Sequence, residues 1–381
     1  MPVDNRWFAK PEIFHSTRNG LSNQNNYNND IPESQKDYED PEYYYSNPPD
    51  LPQKRTPPPL PPMNSLQKIV PTHLVIEHKQ VPDKHPTRSV YSISDTNVIK
   101  SKVDIDVAAT YLLTLLITKR KLCLFEAGTD RSEESKRQYR EEHIESARLL
   151  QFANLSVNGT PVHPLQFQRY VRSLGVDEDC YVIIYDRGEV VWATHALWIF
   201  ALFGHQKVSL YSGGINEWKK LKKNSAQYRT ESGDGTYPRR NGHFRAEWNA
   251  AVISTFDDVI TNTELKTHDL VDGQNRKQYE GISSDAVYGH IRSAINVPAE
   301  DVYDWHDQKW HDELDLKAQL RSRKLSENRP VIVYSSSAIH SSLTWFTLRK
   351  CGYNSSIYFG SWPEWLIRAP EFLKVIPKKK F

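Results

Sequence analysis

Apolar residues are thinly spread over roughly the first 70 positions of this chain and gather thereafter into short runs. Runs such as Leu122–Phe125 and Tyr181–Tyr185 alternate with longer stretches of helical period. That alternation predicts α/β units, each a central, mostly parallel sheet flanked by helices. Residues 1–72 are rich in Asn, Asp, Glu, Tyr, Ser and Pro, with too few aliphatic side chains to offset the entropy of ordering, and are expected to be a disordered tail.

The pattern then repeats itself. EEHIESARLL, CYVIIYD, ATHALWIFALFGH and KVSLYSGGINEW follow one another in the first half, and YGHIRSAINVP, RPVIVYS, HSSLTWFTLRKCGY and SSIYFGSWPEW in the second. Each set reads as a His-Ile turn, a strand, a loop, a helix, a strand and a Gly-x-x-x-Trp segment, so two copies of one domain are the economical explanation. Residues 73–222 form the first copy and 246–370 the second. A charged, Gly-containing linker with Pro238 spans 223–245, and a basic tail occupies 371–381.

Charge narrows the function without choosing it. Lys and Arg number 49 against 47 for Asp and Glu, a formal net charge of +2, so nothing points to nucleic acid. The longest uncharged apolar stretch, Val107–Thr118, is far short of the ~20 residues that span a bilayer, so no membrane association is expected. Cys123, Cys180 and Cys351 are scattered, show no CxxC spacing and read as three packing residues. They favour a reducing, cytoplasmic location, with mitochondria as the alternative, since Asp4 and Glu12 spoil a transit peptide at the N-terminus.

Four segments in order, VDGQNRKQYEG, GHIRSAINVP, VIVYSSSAIHSS and YFGSWPEW, resemble the tandem rhodanese-domain family of thiosulfate and 3-mercaptopyruvate sulfurtransferases, over about Val103 to Arg368. The resemblance implies two rhodanese-like domains, the first of the non-catalytic type with Asp186 at the catalytic position. In the second it places Ser335 where the family carries its nucleophilic cysteine, followed by the loop Ser336, Ser337, Ala338, Ile339, His340 and Ser341. Family chemistry needs a thiolate that attacks a sulfur donor, holds the sulfur as a persulfide and passes it on. A serine hydroxyl has a far higher pKa, is a hard nucleophile, and would have to form an unstable O–S bond. Two loop glycines of the family become Ser336 and Ala338, which would be strained at positive φ unless the loop has changed shape. Gln274 and Gln278 align with two arginines that hold the anionic substrate, and glutamine supplies neither the charge nor the guanidinium fork. Arg276 is the neighbouring cation that would have to turn inward to replace them.

The expectation is therefore a catalytically impaired sulfurtransferase homologue that works in binding or regulation, on a partner or a small sulfur-containing anion. An active sulfurtransferase is the first alternative. A hydrolytic Ser335–His340 pair is a remoter one, with no acidic orienter in sight, and a phosphatase would need the Cys-x5-Arg loop that this segment lacks. His143 and His290 read as turn anchors; no metal and no cofactor is called for. In the tail, Arg55, Pro58 and Pro61 match the basic-x-x-Pro-x-x-Pro pattern of SH3 ligands, Pro58-Pro59-Leu60-Pro61 also suits a WW domain, and Tyr45-Ser46-Asn47 an SH2 domain once phosphorylated. An adaptor with a rhodanese scaffold is the second alternative.

Overall fold

The computed structural model describes residues 105–118, 121–282 and 286–377. The SH3-type motif at Arg55, Pro58 and Pro61, the rest of the N-terminal tail, and Lys378–Lys380 lie outside the described residues.

In the first half, β1 (Leu122–Ala127), β2 (Arg148–Leu150), β5 (Tyr181–Tyr185) and β6 (Val208–Leu210) form a parallel sheet in the order β2-β1-β5-β6, with a hairpin of β3 (Ser156–Val157) and β4 (Thr160–Pro161) beside it. Helices α1 (Ala109–Ile117), α2 (Ser132–Glu141), α3 (Pro164–Ser173), α4 (Val191–Leu202) and α5 (Gly214–Asn224) accompany it. The second half repeats the plan. β7 (Ile253–Ser254), β8 (Asp269–Asp272), β9 (Ile295–Asn296), β12 (Val331–Tyr334) and β13 (Ser355–Tyr358) pair in parallel in the order β9-β8-β12-β13-β7, with a hairpin of β10 (Tyr303–Asp304) and β11 (Lys309–Trp310). Its helices are α6 (Phe256–Leu265), α7 (Glu313–Ser322), α8 (Ala338–Lys350) and α9 (Ser361–Arg368). Both sheets are parallel and flanked by helices, as the alternation of runs predicts.

The central strands are continuous β-branched and aromatic runs, YVIIY and VIVY, because both of their faces are covered. Helices α4 and α8 show no polar face for the same reason: each packs on its own sheet and on the other helix, and nine residues of each are buried. The seam between them contains a buried polar pair, Thr194 Oγ1 to Ser342 Oγ at 2.8 Å. Their cores merge into one apolar cluster that draws on both sheets.

Local turns are duplicated in atomic detail. His143 stacks on Tyr139 and His290 on Tyr279, both with ring centroids 3.9 Å apart. Each Nδ1 donates to the carbonyl of the tyrosine it stacks on, at 2.8 and 2.9 Å. These histidines anchor turns, and the positive φ of Ser146 (67°) and Ser293 (74°) recurs at matching positions.

One expectation is corrected. Cys123, in β1, and Cys180, just before the adjacent β5, are joined in a disulfide with Cα atoms 6.1 Å apart, so they are not free packing residues. The pairing depends on two neighbouring strands whose cysteines are 57 residues apart in sequence. Cys351 stays a free, buried thiol, its pKa pushed up to about 11 chiefly by burial.

Candidate functional site

The two loops that follow β5 and β12 occupy equivalent places and are built differently. After β5, Asp186 is buried and its carboxylate accepts the N–H of Gly188 (2.9 Å) and of Ala193 (3.3 Å). The chain turns through positive φ at Gly188 (108°) and Val190 (48°) before α4 starts at Val191. Those turns aim amides at one point, and burial still pushes Asp186 up to about 6 against their opposing pull.

After β12 the chain passes Ser335, which is 1% exposed and whose Oγ makes no hydrogen bond, while its carbonyl accepts from Trp362 N–H at 3.0 Å. Helix α8 starts at Ala338, three residues on, where α4 starts five residues beyond Asp186. No residue of Ser335–Ser341 has positive φ. The strain expected of Ser336 and Ala338 is thus relieved by a change of loop shape: an early helix start replaces the left-handed turns. Ser337 caps that helix, its Oγ accepting the His340 N–H at 3.3 Å and donating to His340 Nδ1 at 2.8 Å. Ser336 Oγ lies 3.5 Å from the same nitrogen, and Ser341 Oγ donates to the Ser337 carbonyl at 2.8 Å. His340 therefore pairs with Ser337 and not with Ser335, and the hydrolytic pair weighed from sequence is not formed.

Gln274 and Gln278 leave the adjacent strand β8 at the same end of the sheet, and neither presents a charge. Gln274 is 1% exposed; its Nε2 donates to Asp272 Oδ2 (3.0 Å) and to the Gly289 carbonyl (2.9 Å). Gln278 sits in the short helix Arg276–Tyr279, its N–H bonded to the capping Asn275 Oδ1 at 2.9 Å. Arg276 stays outside, with its guanidinium 3.7 Å from Asp301. Asp272 is fully buried between Gln274 and Tyr334, and desolvation pushes its pKa up to about 7.

Each loop is also roofed by the other half, which sequence reasoning missed. The β3–β4 hairpin turns at Asn158 and Gly159, both at positive φ, and Gly159 lies so close to α8 that a β-carbon there would sit 3.5 Å from Ile339 Cγ1 and 3.6 Å from Ala338 Cβ. His195 of α4, fully buried and pushed down to about 3 by desolvation, holds Ser156 of that hairpin at 2.8 Å. In return, Gln308 of the β10–β11 hairpin meets Gly188, and its Oε1 accepts from Asn216 Nδ2, which also donates to the Arg187 carbonyl. The Asn-Gly pair at 158–159 is a hairpin signal that could have been read.

The result at Ser335 is a neutral, hydroxyl-lined loop with one exposed imidazole. Among the described residues no group of three or more His, Cys, Asp or Glu side chains is placed to hold a metal ion. Nor, among them, is any helix long and apolar enough to cross a membrane.

Comparison with known proteins agrees with the duplication. The Rhodanese-like domain family matches residues 129–221 and again 255–368. The chain is 28% identical over 255 residues to the thiosulfate sulfurtransferase of Bos taurus, covering 62% of this chain and 82% of that protein. To the 3-mercaptopyruvate sulfurtransferase of Escherichia coli (strain K12) it is 28% identical over 242 residues, covering 61% and 83%. The solved structure of a 3-mercaptopyruvate sulfotransferase from Escherichia coli matches with a TM-score of 0.58 at 24% identity, over 68% of this chain and 98% of that one. The Tum1 protein of Saccharomyces cerevisiae matches with a TM-score of 0.61 at 17% identity, over 71% and 97%, a likeness of fold. With two family matches in tandem, each laid over one of the two parallel sheets, the chain belongs to the rhodanese-like domain family as a two-domain homologue of the sulfurtransferases.

Proposed function

We propose that the second rhodanese domain does not carry sulfur, and that the chain acts by binding a partner, or weakly a small sulfur-containing anion, at the remodelled loop. One observation carries this reading: Ser335 puts a hydroxyl at the end of β12, where sulfur transfer calls for an ionised thiol. The surroundings support it. Gln274 spends its amide on Asp272 and Gly289, Arg276 faces Asp301, and the early start of α8 leaves no left-handed turn to gather amides around Ser335 Oγ. An anionic donor would meet neither a nucleophile nor a guanidinium clamp.

The test is turnover with thiosulfate plus cyanide, and with 3-mercaptopyruvate plus a thiol. The expected rate is that of background, unchanged in Ser335→Ala. Turnover well above background, or mass spectrometry finding a sulfane adduct on the native chain that can be passed on, overturns the reading.

The similarity to thiosulfate and 3-mercaptopyruvate sulfurtransferases favours a second reading, an active sulfurtransferase using another thiol. Cys351 is the free one among the described cysteines, and it is buried beyond the far end of α8 with a raised pKa, the opposite of an activated nucleophile. As a third reading, an adaptor would engage an SH3 domain through Arg55, Pro58 and Pro61; unchanged partners in pull-downs with Pro58→Ala and Pro61→Ala would remove it. A cytoplasmic location remains the proposal, with mitochondria as the alternative. The Cys123–Cys180 disulfide weighs against it, because such bonds persist mainly in oxidising compartments.

A further inference from the structure

At one edge of the second sheet the strand pairing stops short. β7 pairs with Ile357 and Tyr358 of β13 and leaves Ser355 and Ser356 with no strand on that side. A cavity of about 720 Å³ opens there, bounded by the β3–β4 hairpin, Trp248–Ala251, α6 and the starts of β12 and β13. It lies at the opposite end of β12 from Ser335, roughly 13 Å along the strand, and so is separate from the loop described above.

The lining chemistry is specific. Among the described residues no lysine or arginine takes part, and the one carboxylate that does, Asp258, is already used to cap α6 with Thr255. Anions and metal ions are thus poorly served. What remains is an indole, a bank of hydroxyls, the carboxamides of Asn262 and Asn354 and the imidazole of His268, all able to form hydrogen bonds without a fixed charge. Trp248 is 54% exposed on one side; on the other, Ser254 and Ser356 share a hydrogen bond of 2.7 Å, and Ser355, 1% exposed, has an Oγ with no partner.

The internal repeat serves as a control for those serines. Matching LYSGGINEW to IYFGSWPEW sets Val208 opposite Ser355 and Ser209 opposite Ser356. Val208 is an ordinary core residue, so the fold does not require a hydroxyl at that position. An unpaired buried hydroxyl is destabilising, and this one belongs to a residue in the wall of the cavity, where a change of χ1 rotamer would turn it toward an occupant.

We propose that this notch binds a small neutral ligand bearing ring hydroxyls, a free sugar or a nucleoside, which lays a flat face on Trp248 and exchanges hydrogen bonds with the serines of β7 and β13. The volume falls within the roughly 300–1,000 Å³ of small-molecule pockets, and aromatic stacking combined with uncharged hydrogen bonding is the chemistry such a ligand needs.

Saturation-transfer NMR on the full chain, with methyl β-glucoside and adenosine as probes, tests this and distinguishes the two sources. One of them should give a saturable signal with a Kd below about 5 mM, not displaced by thiosulfate. Trp248→Ala should weaken it by about tenfold or more, and Ser355→Val, which installs the residue of the first repeat, by about threefold or more. Trp248 is exposed and valine is already carried at the equivalent position, so both variants should fold, as a thermal melt will check. The proposal is overturned if neither probe saturates, if thiosulfate displaces the signal, or if it survives either substitution.

Discussion

Asp186 and Ser335 stand at the same point in two copies of one strand–loop–helix unit, and only Asp186 is held by the amides of its loop. The turns that gather N–H groups are therefore present in the first copy, around an internal carboxylate, and absent from the second. The side chain at this point and the backbone around it are separate matters in chemistry, and the two copies differ in both.

A cysteine introduced at position 335 should accordingly be sluggish. Ser335→Cys would place a thiol in a nearly buried site with no convergent amides and no neighbouring cation, and burial favours the neutral form. Its pKa should stay at or above about 8.5, the value of a free thiol. Ser336→Gly and Ala338→Gly added to it should lower that pKa by giving the loop access to left-handed turns. The pH dependence of alkylation, read on a Cys351→Ala background, measures both; a single variant with a thiol pKa well below 7 would show that the cradle is intact.

Asp272 should give the fold an unusual pH response. Its folded pKa, about 7, lies above the ordinary carboxylate value, with desolvation the leading cause. The native state then binds the proton more tightly than the unfolded chain, so this group adds stability below its unfolded pKa and loses it as pH rises through about 7. Relative to Asp272→Asn, the parent should gain on the order of 1–3 kcal/mol between pH 8 and pH 5. Urea unfolding of both proteins across that window tests the sign. Buried His195 and His205, whose pKa values are pushed down by burial, pull the other way below about pH 6.5 in both proteins and cancel in the comparison.

The duplication is legible in the sequence because each copy keeps its apolar strand, its buried helix and its Gly-x-x-x-Trp segment, and burial of those elements tolerates little else. That the four equivalent strands run in the same order in both sheets follows from it. The detail of the Ser335 loop is not legible to the same degree. Ser337-x-x-His340 has the spacing that stacks a side chain over an N-cap, yet the sequence reading weighed His340 only against Ser335, the residue of chemical interest, and that as a remote alternative. Where α8 begins depends on whether Ala338 extends the helix or bends the loop, a choice settled by packing against the β3–β4 hairpin. The inward turn of Gln274 depends on Asp272 and on the Gly289 carbonyl, two groups brought together only by the folded sheet.

The disulfide escapes sequence reading for a similar reason, since Cys123 and Cys180 meet only when β1 and β5 lie side by side. Closing a loop of 57 residues should stabilise the fold by about 2–4 kcal/mol. Unfolding in urea with and without a phosphine reductant should show that difference, and Cys123→Ser should match the reduced protein. Thiol titration of the unreduced, denatured chain should find one reactive sulfhydryl, that of Cys351, rising to three after reduction. Three without reduction would remove the bond.

Gly188 joins backbone demand to contact between the two halves, and its substitution should separate them. Its φ of 108° is one that residues with a side chain rarely adopt, and a β-carbon there would lie 2.1 Å from Gln308 Nε2 on the opposing hairpin. Gly188→Ala should therefore cost about 1–3 kcal/mol, part from backbone strain and part from the collision. Gln308→Ala removes the colliding amide and gives up the hydrogen bond from Asn216, so alone it should cost about 1 kcal/mol or less. Combined with Gly188→Ala it should recover the part of the collision due to Gln308 and leave the strain and the contact with Asn216 Nδ2, 2.8 Å from the added β-carbon, giving a coupling of about 0.5 kcal/mol or more in a double-mutant cycle. Strict additivity would mean that the β10–β11 hairpin does not rest on the Asp186 loop in solution.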